Sequence, residues 1–150
     1  MKPAEQEFQD TVRQLQLKFT RFYARFLSQH DLTFPQFALI SLAYHEGEAP
    51  MNAFAKRLMI SLPAVTHLVD RLERDGFIRR IAHGRDRRVT LIRITEKGKK
   101  AVAETQGRIQ KLFLGLLREF PLRDRAAIQK FYVRFAAQLE YELRAELASR

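Results

Sequence analysis

Residues 77–93 read FIRRIAHGRDRRVTLIR and place six arginines, Arg79, Arg80, Arg85, Arg87, Arg88 and Arg93, against one carboxylate, Asp86. Two β-branched segments flank a short loop whose Gly84 supplies the backbone freedom of a tight turn. This is the pattern of a hairpin with an arginine-loaded tip. Arginines held on a rigid ribbon can grip DNA phosphates and read the width of a minor groove. A solvated charged loop would mix signs, and it would not follow directly on a helix-turn-helix pattern as this one does.

That pattern lies immediately upstream. Residues 52–57 form a short helix, Leu58-Met59-Ile60 makes a tight connection, and Ser61-Leu62-Pro63 opens a second helix with a cap and an early proline. In this second helix Val65, Leu68, Val69 and Leu72 fall at i, i+3, i+4 and i+7, one face for the core. The outer face presents Pro63, His67, Asp70 and Arg74, with Ala64, Thr66 and Arg71 on its shoulders. Its start is small and uncluttered, as a helix needs to be to enter a major groove. Asp70, four residues before Arg74, is placed either to orient an arginine or to face DNA. Asp86 in the hairpin is read as pairing with Arg88 or Arg85, with Arg85 and Arg87 entering the minor groove.

Further out, Thr33-Phe34-Pro35-Gln36 is a capping box that starts a helix running to about His45. Gly76 suits the left-handed position that ends the outward helix. Thr95 caps a long helix reaching about Phe120, Pro121 breaks it, and a last helix carries the apolar stripe Ile128, Tyr132, Phe135, Leu139, Leu143, Leu147. The first helix has its own stripe, Phe8, Val12, Leu15, Phe19, Phe22, Phe26. The fold class is therefore mainly α with a small β-hairpin. Both terminal stripes are expected to pack together and against a second copy of the chain.

Composition supports a polyanion partner. The 150 residues carry a net charge of +10, and residues 77–93 alone supply +5 of it. With no cysteine, disulfides and thiolate metal sites are excluded. The four histidines lack metal-ligand spacing, and no nucleophile or acid–base motif is present, so neither an enzyme nor a cofactor is expected. No apolar run has the length of a membrane span and no signal-peptide pattern opens the chain, which points to the cytoplasm.

The run from Thr66 to Arg80 (THLVDRLERDGFIRR), then Asp86 to Thr95 (DRRVTLIRIT) and Gly98, together with Phe34-Pro35-Gln36-Phe37, resembles the MarR family of bacterial winged helix-turn-helix regulators. The likeness extends in helix order over essentially the whole chain. It implies one MarR-like domain over 1–150, with dimerisation helices at 4–30 and 96–148 and the winged helix-turn-helix at 33–95. It further implies a homodimer on a pseudo-palindromic operator, most often a repressor released by a small aromatic or phenolic ligand. Carried onto this sequence, Ser61, Ala64, Thr66 and His67 would read bases and Arg71 would meet the backbone. Asp86 and Arg88 would form the wing pair, with Arg85 or Arg87 at its tip. Pro63 and Arg74 complete the expected DNA-binding set, and Phe19, Phe22, Tyr23, Arg25 and Phe37 are the ligand-site candidates. Met59 departs from the family, which often has glycine in this turn, and Phe54 replaces the usual leucine. The competing readings are a non-specific or architectural DNA-binding protein and a winged helix that binds another protein.

Overall fold

The computed structural model describes residues 3–82 and 89–148. Six helices and three short strands occur among them, in the order α1 (Pro3–Ser28), α2 (Phe34–Glu46), β1 (Ala49–Pro50), α3 (Met51–Leu58), α4 (Leu62–Arg74), β2 (Ile78–Ala82), β3 (Thr90–Ile94), α5 (Glu96–Glu119) and α6 (Leu122–Ala148). Their boundaries follow local chemistry. The Thr33 N–H donates to Gln36 Oε1 (2.8 Å) and the Gln36 N–H donates to Thr33 Oγ1 (3.5 Å), so both ends of the capping box are closed. Ser61 Oγ accepts from the Ala64 N–H at 3.3 Å, with Pro63 in the tolerant first turn of α4.

Helix α4 ends in a Schellman arrangement. The Gly76 N–H donates to the Glu73 carbonyl (3.0 Å) and the Phe77 N–H to that of Leu72 (2.8 Å), with Gly76 at φ +79°. Thr95 then ties three elements together. Its hydroxyl bonds the Gly76 carbonyl (2.7 Å) and the Phe77 carbonyl (3.0 Å), and it accepts from the Gly98 N–H (3.2 Å) to cap α5. Gly98 is buried where a Cβ would lie 2.4 Å from the Phe77 carbonyl oxygen and 2.6 Å from Ile94. Only glycine lets α5 approach the sheet this closely.

The expected hairpin is present as β2 and β3, antiparallel, with Ile78 opposite Ile94, Arg79 opposite Arg93 and Arg80 opposite Ile92. The sequence reading missed a third strand: β1 pairs on the far edge of β3, giving the order β1-β3-β2. Leu39, Ile40, Phe54, Val65, Val69, Leu72, Ile78, Ile92 and Val102 enclose the core. Leu68, expected in that core, is only half-buried.

The chain gathers into two compact units, residues 1–106 and 107–150. In the second, the later turns of α5 and helix α6 form a helical pair joined at Pro121. Phe113 meets Tyr132 edge-on at 5.6 Å, and Phe131 stacks on Phe135 at 6.0 Å. No described side chain of this unit is buried.

Candidate nucleic-acid interface

Helices α3 and α4 meet across a turn whose central residue, Met59, adopts left-handed φ 53°, ψ 39°. That is the conformation glycine takes at least cost, and Met59 holds it with its N–H bonded to the Ala55 carbonyl. The turn turns α4 so that Val65, Val69 and Leu72 enter the core while Ser61, Pro63, His67, Asp70, Arg71 and Arg74 remain exposed. Ala64 and Thr66 lie half-buried at the shoulders.

Two of the candidate base readers have structural engagements as well. Ser61 Oγ is the cap of α4, and the Thr66 hydroxyl donates to the Leu62 carbonyl at 3.0 Å. Thr66 therefore offers its methyl group and an acceptor lone pair outward, rather than a free donor. His67 is exposed, and Arg71 is exposed with no ion pair among the described residues. Arg74 lies 3.4 Å from Asp75.

Asp70 resolves differently from the i, i+4 pairing with Arg74. It pairs with Arg80 of β2, which also donates through Nη1 to Glu73 Oε2 (2.6 Å). The Arg80 backbone N–H donates to Glu73 Oε1 at 2.7 Å. That backbone bond, with help from the Arg80 charge, holds the Glu73 carboxyl below the usual carboxylate range against burial and the nearby Asp70, which push it up. Burial opposes the Arg80 charge, yet the two carboxylates outweigh it and raise its pKa further. Arg93 is likewise engaged, with Glu48 beside β1. Two of the six hairpin arginines are thus turned to partners within the chain, so the +5 counted over 77–93 overstates what the hairpin offers to an anion. Arg79 is exposed and, among the described residues, has no ion pair. Arg85, Asp86, Arg87 and Arg88, the expected wing tip, lie outside the described residues.

A cleft of about 540 Å³ opens between α1 and α2, lined by Phe19, Thr20, Tyr23, Ala24, Leu27 and Ser28 of α1 and by Leu32, Thr33 and Phe34. Of the ligand-site candidates, Phe19 and Tyr23 line it. Phe37 instead packs in the core beside Tyr23, Phe22 meets Phe26 along α1 at 4.5 Å with the rings tilted, and Arg25 is exposed away from the lining. Thr33 and Phe34, whose capping role drew attention in the sequence, are among the wall residues that periodicity did not reveal. Burial raises the Tyr23 phenol above its ordinary pKa, so it remains a hydrogen-bond donor at neutral pH. Among the described residues no cluster of His, Asp and Glu has the geometry to hold a metal ion, and no helix is long and apolar enough to cross a membrane.

A helix-turn-helix whose second helix faces outward, followed by an antiparallel ribbon tied back to that helix, defines a winged helix-turn-helix protein. Residues 32–90 match the sequence model of the MarR family. The HTH-type transcriptional regulator MhqR of Bacillus subtilis is 36% identical over 72 residues, covering 48% of this chain and 50% of that protein, so the chain spans about half the length of this relative. Among solved structures, a MarR family protein from Bacillus stearothermophilus superposes with a TM-score of 0.76 at 22% identity, covering 91% of this chain and 96% of that one. The S. aureus MepR–DNA complex gives 0.71 at 22% identity, covering 85% and 96% respectively. At these identities the structures establish the fold.

Proposed function

We propose that the protein is a sequence-specific DNA-binding transcriptional regulator that acts in the cytoplasm as a homodimer on a pseudo-palindromic operator. The observation that carries this reading is α4 itself. Its start is exposed, small and uncluttered, its inner face is locked in the core, and an arginine-rich ribbon follows one turn later. In a dimer the two α4 helices enter successive major grooves about one helical turn apart, and the ribbons lie over the flanking minor grooves. Ser61, Ala64, Thr66 and His67 face base edges, Arg71 and Arg74 reach phosphates, and Arg85, Arg87 and Arg88 carry the wing with Asp86 orienting one of them. A fold neighbour, MepR, has been solved on DNA, which agrees with this use of the fold.

The exposed apolar surfaces of α1 and α6, with Phe8, Leu15, Phe135 and Leu139 each about half exposed, supply the dimer contacts. The α1–α2 cleft, apolar on its walls with Tyr23, Thr20 and Thr33 as polar points, suits a small aromatic or phenolic effector whose binding weakens the DNA complex, as in a repressor.

The test is a salt titration of binding to a randomised duplex library. Enrichment of an inverted repeat, with affinity falling steeply as salt rises, is the expected result. Salt-sensitive binding without enrichment would replace this reading with an architectural role. An absence of binding at physiological salt would replace it with a protein-interaction module.

A further inference from the structure

We infer that Arg80 is a positioning residue that sets the angle between the reading helix and the wing and does not itself touch DNA. This rests on the DNA-binding function proposed above and names the residue that makes α4 and the ribbon act as one reader.

The seam between the two elements is built from three charged side chains. Asp70 and Glu73 stand three residues apart on one side of α4, and Arg80, two residues into β2, spans both. Nη2 of Arg80 bonds Asp70, Nη1 bonds Glu73, and the Arg80 main-chain N–H takes the other Glu73 oxygen at 2.7 Å. Side-chain and main-chain bonds to the same carboxylate fix the strand's position as well as its side chain. Arg80 is the most enclosed of the three, with 27% of its side chain exposed against 34% for Glu73 and 55% for Asp70. It lies opposite Ile92, which is fully buried, so its stem is pinned on the sheet's inner face.

Two consequences follow for binding. A guanidinium whose charge is already offset by two adjacent carboxylates is drawn less strongly to a phosphate. One cation against two carboxylates also leaves the seam itself with a net charge of −1, so phosphate contacts from the second half of α4 fall to Arg71 and Arg74. The clamp thus sets the angle of the reader without joining its DNA contacts.

The experiment compares wild type, Arg80→Gln and Glu73→Gln on a duplex enriched from a randomised library by the wild-type protein, and on the same duplex trimmed of its flanking minor-groove segments. Each variant is expected to bind the full duplex about tenfold more weakly, to bind the trimmed duplex like wild type, and to keep the wild-type salt slope. The double variant should lose no more than either single one. Equal loss on both duplexes would mean general destabilisation and would overturn the inference. So would a salt slope lower by about 0.9, the signature of a lost phosphate contact, or no loss on the full duplex. Failure of the wild type to enrich any duplex would instead sink the DNA-binding reading, and the inference with it. If Arg80→Gln does not fold, Glu73→Gln alone decides, because it leaves every cation in place.

Discussion

In residues 1–106, Leu39, Ile40, Val65, Val69 and Leu72 are fully enclosed, whereas in residues 107–150 Phe131, Phe135, Leu139 and Leu143 stand at similar helical spacing and keep between 43% and 55% of their surface exposed. The sequence stripes of the two regions look alike. What differs is whether each region closes a partner face within itself. In the first region α2, α3, α4 and the sheet close around one another, so the stripe of α4 is satisfied within one copy. Within itself the second region is a helical pair, and two helices in water cannot enclose a row of Phe, Tyr and Leu by themselves. A helical stripe therefore announces a demand for burial without naming who meets it. Contiguous exposed apolar surface of this kind marks a protein–protein contact.

The sharpest way to break this contrast is to make the same truncation on both sides of it. Leu72→Ala should cost about 2–5 kcal/mol, independent of protein concentration, because the cavity opens in an enclosed core. Leu139→Ala should cost little in dilute solution and should lower the melting temperature only at concentrations where the wild type associates. Thermal melts at two protein concentrations check both. Equal, concentration-independent losses would show that the second region has an internal core after all.

Gly98→Ala probes the first turn of α5, whose later turns enter the second region. The added Cβ meets the Phe77 carbonyl and Ile94, so a loss of about 1–3 kcal/mol in chemical denaturation is expected. A neutral outcome would mean that α5 can lift from the sheet at no cost. Met59→Gly works in the opposite direction and should raise stability by up to about 1 kcal/mol, since it releases a left-handed conformation at a partly exposed turn residue. A destabilised variant would show that the Met59 side chain contributes more than its backbone geometry costs.

The smallest effect is a pH dependence confined to the first region. Glu73 has a folded pKa below its unfolded value, so its contribution is fully present above the unfolded pKa and is lost as pH falls through the folded one. The stability difference between wild type and Glu73→Gln should therefore hold at neutral pH and shrink below about pH 4.3. A difference that persists unchanged at lower pH would remove the Glu73 carboxylate from the account of the clamp.

Local chemistry was legible in the sequence because its signals span a few residues. Thr33 with Gln36, Ser61 with Pro63, Gly76 and Thr95 each marked a boundary within a residue or two of where it falls. The outward face of α4 was legible for the same reason, since helical periodicity fixes which side each residue takes. Long-range pairings left no such trace. Glu48 and Arg93 are 45 positions apart, and nothing in Ala49-Pro50, with a proline in it, reads as a strand. Arg80 was counted with the other hairpin arginines because charge adds up along a sequence regardless of direction. Only the fold shows that it points back toward α4. The cleft was partly legible: the apolar spacing of the first helix held Phe19, Tyr23 was named beside it as an aromatic candidate, and the opposing wall comes from the turn into α2.

The placement of β1 has a kinetic consequence. It precedes α3 and α4 in the chain yet pairs with β3, so both helices of the DNA-reading motif lie inside a loop closed by that pairing. Drawing together strands some forty residues apart costs about 3 kcal/mol of chain entropy before the sheet returns anything. Helices α3 and α4 form from neighbouring residues, whereas the sheet must wait for Ile92 and its neighbours. During synthesis, the reading motif should therefore lock only after β3 has left the ribosome, and the slow step of refolding should report strand closure rather than helix formation.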